Sequence, residues 1–200
     1  MVKNLRTFIN DLQDKLPGEF IRIKKEVNPG DYEVTAIIKK LDEMKKFPVI
    51  LFENVLNLHG EKSEARVLMN EAISQSKTQI ALDIPLEMDR VQIAEKCLEM
   101  EERRVKPKVI NKNDAPVKDV IQVGEKSDLY ELPILRHHYM DGGPYIVMPT
   151  VVRDRNSGVY NLSFHRMEVK NPRLTGFYSS PRHLWKIFKD YEDRNEPCPA

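Results

Sequence analysis

The chain has 200 residues, with 32 Lys or Arg against 31 Asp or Glu, and a formal net charge of +1. That length allows one domain or two small ones with a real core, and the evenly mixed charge makes nucleic acid a poor partner. No apolar run reaches the ~20 residues of a membrane span, the first eight residues lack a signal-peptide core, and two distant cysteines, Cys97 and Cys198, form no metal pattern and fit a reducing cytoplasm.

Leu5, Phe8, Ile9, Leu12 and Leu16 form a helical stripe that stops at Pro17-Gly18. Glu19 to Val27 alternates as a strand with Ile21 and Ile23 in one row and Phe20 outside it. Asn28-Pro29-Gly30 is a turn, and Asp31 can cap a helix running to about Met44, with Ile37, Ile38, Leu41 and Met44 as its buried face. Pro48 to Phe52 is a continuous apolar run, the pattern of a fully buried strand. A polar loop from Glu53 to Glu64 precedes a short strand, Arg66 to Met69, and a helix, Asn70 to Leu82. Asp89 to Arg104 is helical again, with Val91, Ile93, Ala94, Cys97 and Leu98 on the inner side and acidic residues outside.

The composition then shifts. Lys106 to Pro116 carries two prolines and several Lys and Asn residues, and reads as a linker. Val117 to Val123 is the next expected strand. Asp141-Gly142-Gly143-Pro144 is a tight loop. Ile146 to Arg153 and Val159 to Val169 form an expected hairpin across the turn formers Asp154 to Gly158. The fold class expected is α/β (α+β): an α/β domain over residues 1–110, then a mostly antiparallel β domain over residues 111–200. The polar end of the chain, Glu192 to Ala200, reads as the start of a further connection, so the chain is expected to be the front portion of a longer protein.

Two segments carry the chemistry. In Val159 to Val169 one alternate row is apolar (Tyr160, Leu162, Phe164) and the other is Asn161, Ser163 and His165. The alternation predicts a half-buried strand with the apolar row in the core. The polar row is compact and rich in lone pairs and donors, which suits a ligand or a metal better than plain solvation does. Arg166 falls on the apolar parity, so it must leave the core or lie against an anion. Downstream, Ser180 is a good N-cap and Pro181 suits the first helical position, with Leu184, Ile187, Phe188 and Tyr191 making one apolar face. That places Arg182 and His183 in a first turn, where unpaired N–H groups and the helix dipole attract anions. His137 and His138 are adjacent, point to opposite sides of an extended chain, and do not share one metal easily. Asp141 reads as a turn former, and Glu168 as a surface strand residue.

Taken together, Leu132-Pro133-Ile134-Leu135-Arg136-His137-His138, then Asp141-Gly142-Gly143-Pro144-Tyr145-Ile146, then Asn161-Leu162-Ser163-Phe164-His165-Arg166-Met167 resemble the UbiD family of decarboxylases. Leu5-Arg6-Thr7-Phe8 and Leu51-Phe52-Glu53-Asn54-Val55 resemble its opening. The resemblance runs from about Leu5 to the last residue and covers only the front part of a usual member. It implies an N-terminal α/β domain followed by the first part of a split β-barrel that holds the flavin. It implies prenylated flavin mononucleotide (prenylated FMN) as cofactor, and a divalent metal, usually Mn2+, bridging protein and cofactor phosphate, often with K+ nearby.

Residue by residue, Asn161 and His183 match the family's metal-binding asparagine and histidine. Arg166 matches its catalytic arginine, which grips the substrate carboxylate. Ser163, Phe164, His165, Arg166, Arg182 and His183 match cofactor-lining positions. The third metal ligand and the acidic proton-donor network match nothing in the chain. The activity implied is non-oxidative decarboxylation, reversible as carboxylation, of an aromatic or α,β-unsaturated acid. Two other classes stay open: a cofactor-binding or assembly fragment that is inactive without a further glutamate-bearing segment, and an ordinary flavin redox protein. The partners implied are a small carboxylic acid, a flavin prenyltransferase as cofactor supplier and, at full length, further copies of the chain.

Overall fold

The computed structural model describes residues 3–103, 105–106 and 108–199. Its contacts divide the chain into two units. One comprises Met1–Val27, Ile37–Val55 and Glu64–Lys126, and the other Asn28–Ala36, Leu56–Ser63 and Ser127–Ala200.

In the first unit, α1 (Leu5–Lys15) starts at a capping box in which Asn4 accepts from the Arg6 and Thr7 N–H groups and Thr7 accepts from the Asn4 N–H. Pro17-Gly18 ends it. Its stripe delivers Phe8 and Leu12 to a core shared with Val49 and Ile80. β1 (Phe20–Ile23) runs parallel to β2 (Val49–Phe52), and β3 (Val67–Met69) pairs antiparallel on the other side of β2. The central strand is buried along its whole length, as its unbroken apolar run requires. In β1, Phe20 packs on the core and Ile23 is half-buried, while Ile21 is exposed.

α2 (Glu33–Glu43) begins after a 3-10 turn held by Asn28, whose side chain accepts from the Gly30 N–H, so Asp31 is not its cap. Val34 is its one buried residue, and Met44 lies exposed beyond its end. α3 (Gln75–Leu82) is capped by Ser74 and starts five residues later than expected. It carries a buried lysine, Lys77, whose Nζ donates to Glu19 at 2.7 Å and to the Phe47 carbonyl, so the charge is paired where it is desolvated.

Two expectations fail in this unit. α4 (Arg90–Glu102) forms on its Asp89–Gln92 capping box, but none of its residues is buried, and Val91 and Leu98 face solvent. Capping and propensity can start a helix; burial of its stripe needs a partner surface. Val117 to Val123 is not a strand. It runs from a 3-10 turn at Pro116–Lys118 to another at Gly124–Lys126, with Val117 and Val120 both 80% exposed. A β-branched run becomes a strand only by pairing, and among the described residues this one joins neither sheet.

The second unit is built on β4 (Tyr145–Arg153), β5 (Tyr160–Asn171) and β6 (Leu174–Phe177), all antiparallel and in that spatial order, followed by α5 (His183–Glu192). The β4–β5 hairpin turns where expected. Asp154 accepts from the Asn156 N–H at 2.9 Å and from Ser157 Oγ at 2.6 Å, and Gly158 takes a positive φ of 72°. The return strand β6 was not expected: it follows Pro172-Arg173 inside what reads as a joining loop. Segment 56–63 is tied to the rest of this unit by His59, whose Nε2 lies 2.8 Å from an Asp128 carboxylate oxygen, and by the Leu58 N–H, which donates to the Tyr130 carbonyl at 2.9 Å.

α5 starts at His183, with Arg182 at the cap position and no side-chain cap bond. Ser180 and Pro181 lie before the helix, because the Arg182 N–H closes back on the Ser180 carbonyl at 2.7 Å. Leu184 is the helix's buried anchor.

Candidate active site

The β4–β5 ladder pairs residue for residue from Tyr145 opposite Glu168 to Arg153 opposite Tyr160. With no bulge in that span, parity fixes the faces. One face carries Thr150 and Val152 from β4 with Asn161, Ser163 and His165 from β5, and all five are buried or half-buried. The other carries Tyr145, Val147, Pro149 and Val151 with Leu162, Phe164 and Arg166. Leu162 is 62% and Phe164 71% exposed. The alternation is therefore as expected and its sense is inverted: the polar row is enclosed and the apolar row is open. A period of two states that a strand has two unlike faces, not which one is covered.

The enclosed polar row is internally bonded. Asn161 Nδ2 donates to Ser163 Oγ at 3.1 Å, and Ser163 Oγ lies 2.9 Å from His165 Nε2. His165 in turn packs edge-on against Phe177 at 5.4 Å. With its nitrogen engaged, Asn161 keeps its carboxamide oxygen as the free donor atom for a cation. Asn161 lines a cavity of about 520 Å³ together with His183, Lys186 and Ile187 of α5, and Asp154 and Asn156 of the hairpin loop. Thus the strand and the helix start, read separately in the sequence, meet around one space. Asp154 is held ionised by its bonds from Ser157 and the Asn156 backbone, which push its carboxyl below the usual carboxylate range. Asp190, also at the cavity, accepts from Asn156 and Arg194. The sequence reading took the Asp154 segment only as turn formers. Among the described residues no group of three or more His, Cys, Asp or Glu side chains is arranged to hold a metal.

Arg166 and Phe164 stand on the opposite face from Asn161. Arg166 Nη2 donates to Asp141 Oδ1 at 3.2 Å, and its guanidinium lies 4.4 Å from the centre of the Tyr145 ring, a cation–π contact. Tyr145 Oη donates to Glu168 at 3.3 Å, and Glu168 pairs with Lys170 at 2.7 Å. The Lys170 ammonium is the main reason that the Glu168 carboxyl lies below its ordinary range. Glu168 is no surface bystander: its side chain is 18% exposed and packs on the Gly142-Gly143 turn. Burial lowers the pKa of His137, whose Nδ1 has no protein partner. Arg182 is exposed at the α5 cap.

The result is a mixed α/β chain whose second unit brings Asn161 and His183 to one cavity and sets the Arg166 guanidinium beside an exposed apolar row. Residues 12–99 match the 3-octaprenyl-4-hydroxybenzoate carboxy-lyase N-terminal domain, and residues 108–200 match the 3-octaprenyl-4-hydroxybenzoate carboxy-lyase Rift-related domain. The chain belongs to the UbiD family. It is 33% identical over 196 residues to anhydromevalonate phosphate decarboxylase of Methanosarcina mazei, covering 98% of this chain and 40% of that protein. It superposes with a TM-score of 0.83 and 33% identity on an evolved dimeric form of the UbiD-class enzyme HmfF from Pelotomaculum thermopropionicum in complex with prFMN, over 98% of this chain and 43% of that one. Vanillic acid decarboxylase of Sedimentibacter hydroxybenzoicus shares the fold, with a TM-score of 0.84 at 24% identity over 99% of this chain and 42% of that one. The chain spans about two-fifths of the length of these relatives.

Proposed function

We propose that this chain forms the cofactor-phosphate and carboxylate-gripping part of a non-oxidative carboxy-lyase that uses prenylated FMN on an aromatic or α,β-unsaturated acid, reversibly as a carboxylase. The observation that carries this is the meeting of Asn161 and His183 at one cavity. The donor set fits a divalent cation. The Asn161 amide oxygen is free because its nitrogen is bonded to Ser163, and the His183 imidazole stands at the first position of α5 beside it. Mn2+ accepts oxygen and imidazole ligands, and a cofactor phosphate and a further carboxylate would complete its shell, with K+ nearby. The exposed Arg182 and the unpaired N–H groups at the start of α5 favour the same phosphate.

When bound, the modified flavin supplies an electron sink for the carbanion-like centre left by loss of CO2. The chain's own residues bind and orient. Arg166 grips the carboxylate through its guanidinium fork. Val147, Pro149, Leu162 and Phe164 offer the substrate's unsaturated body an apolar floor on the same face. Ser163 and His165, on the Asn161 face, line the cofactor; Phe164, expected beside them, stands on the opposite face and belongs to the floor. Replacement of the lost carboxyl needs a positioned acid. Arg166 cannot provide it, His183 is committed to the metal, and Asp154, Asp141 and Glu168 are all held ionised by their partners. The 200 residues alone are therefore proposed to be inactive, needing a glutamate-bearing segment such as the remaining three-fifths of a relative's length would supply.

This reading places a domain junction at residues 110–111, with the three antiparallel strands as the start of a split β-barrel, and a full-length homo-oligomer in the cytoplasm supplied by a flavin prenyltransferase. Among the described residues no helix is long and apolar enough to cross a membrane. The test is CO2 release from a panel of aromatic and unsaturated acids by the complete protein loaded with prenylated FMN. Release that vanishes in Arg166→Ala supports the reading; turnover by Arg166→Ala at the wild-type rate, or release only with oxidation of the flavin, sinks it.

A further inference from the structure

The guanidinium assigned to the substrate carboxylate already has a carboxylate. We propose that Asp141 is a built-in competitor for Arg166, occupying it until a ligand carboxylate seated on the apolar floor takes its place. This rests on the reading of Arg166 as the carboxylate grip and adds to it a residue that sets how tightly any acid binds.

The two partners of this link are unequally held. Asp141 is pinned. Its Oδ2 accepts from the His138 N–H at 3.1 Å, its main-chain carbonyl accepts from Arg136 Nη2 at 2.8 Å, and its side chain is only 14% exposed. The turn that carries it is wedged against Glu168: a Cβ on Gly142 would lie 2.7 Å from Glu168 Oε1, so only glycine sits there without displacing that carboxylate. Arg166 is the loose partner. Its side chain is 55% exposed, and it gives Asp141 one nitrogen at 3.2 Å, long for a charge-assisted bond and monodentate where the fork could be bidentate. The Tyr145 ring lies 4.4 Å from the guanidinium carbon, a cation–π contact that occupies a face of the group and not its N–H edge.

The surroundings favour an anionic Asp141. Burial raises its pKa, but the His138 N–H and Arg166 outweigh that and hold the carboxyl below the ordinary range. The floor runs away from this point along one face, from Val147 opposite Arg166 to Pro149 opposite Phe164 and Val151 opposite Leu162. A carboxylate on a flat apolar body thus gains two contacts at once, a bidentate grip and the floor. Asp141 offers only one bond.

An intramolecular competitor raises every ligand's apparent dissociation constant by one common factor, because it lowers the fraction of Arg166 that is free. Exposed ion pairs are weak, so that factor is about fivefold. The experiment titrates benzoate, and separately acetate, into the 15N-labelled complete protein and follows the Arg166 Nε–Hε signal, assigned by its loss in Arg166→Lys. Asp141→Asn keeps an oxygen for the His138 N–H, and its amide spectrum reports whether the fold is kept. Glu168→Gln removes a neighbouring charge that Arg166 does not touch, and serves as the control for a general field effect.

Asp141→Asn is expected to tighten benzoate and acetate by the same factor, about fivefold, while Glu168→Gln leaves both near wild type. An Asp141→Asn midpoint equal to or weaker than wild type overturns the competitor role, as does equal tightening in Glu168→Gln. If benzoate moves the Arg166 signal in none of the proteins, the carboxylate-grip reading itself fails, and the competitor role with it.

Discussion

Asn161 and Arg166 lie on one uninterrupted strand and face opposite ways: the asparagine looks into the cavity that His183 lines, and the arginine lies on the apolar face against Asp141. The proposed metal-ligand position and the proposed carboxylate grip thereby fall on the two sides of the same β5 backbone. Their contributions should separate cleanly under mutation.

Asn161→Ala is expected to lower the affinity for Mn2+ by at least about tenfold, while Arg166→Ala leaves it unchanged. Isothermal titration of Mn2+ into FMN-saturated protein measures both. A joint loss in the two variants would mean that the faces do not act separately.

The inverted strand gives a stability prediction. Leu162 and Phe164 are open, so Leu162→Ser is expected to shift the melting temperature little, as exposed changes usually cost within about 0.5 kcal/mol. Leu184→Ala, at the buried anchor of α5, is expected to cost about 2–4 kcal/mol. Urea unfolding of the two variants decides the matter, and the opposite ranking would put the apolar row back in a core.

Much of the fold was legible where a pattern is local. The stop at Pro17-Gly18, the continuous apolar run of β2 and the hairpin are each set by neighbours in sequence; the apolar face expected of α5 buries Leu184 and leaves Phe188 exposed. What was not legible depends on distant partners. Val117 to Val123 has strand-forming residues and, among the described residues, joins neither sheet. The α4 stripe has the helical period and no buried residue. In β5 the two rows were visible, but the covered side is decided by α5 and by Phe177 of β6, elements that follow it. At the site, Asn161 and His183 stood out as candidates only with the family resemblance behind them, whereas the Arg166–Asp141 link spans 25 residues with no local signal.

The Gly142 turn can be tested directly. Gly142→Ala places a methyl group 2.7 Å from Glu168 Oε1, the end of a flexible side chain, and is expected to destabilise the protein by no more than about 1 kcal/mol as that carboxylate shifts. Glu168→Ala in the same chain should relieve most of that cost. Thermal melts of the four proteins in the cycle give the coupling, and additive effects would show that the contact is not the cause.

Acid should loosen segment 56–63. The His59 side chain, through its hydrogen bond to Asp128, is the main reason that the Asp128 carboxyl lies below its ordinary range, with the Tyr130 N–H adding to it. A carboxyl depressed in the folded state contributes stability that is fully present above its unfolded pKa and lost as pH falls through the folded value. Asp128→Asn is therefore expected to lower stability near neutrality and to flatten its fall in acid. Melting temperature against pH for both proteins checks this; parallel curves would remove the pair as a source of acid sensitivity.

The central claim is that Asn161 and His183 together hold a divalent metal against a cofactor phosphate. The most direct measurement is electron paramagnetic resonance of free Mn2+ during titration of the complete protein with and without FMN. Wild type and Arg166→Ala are predicted to remove Mn2+ from solution when FMN is present, and Asn161→Ala and His183→Ala to leave it free. Uptake by Asn161→Ala and His183→Ala equal to wild type would contradict the account.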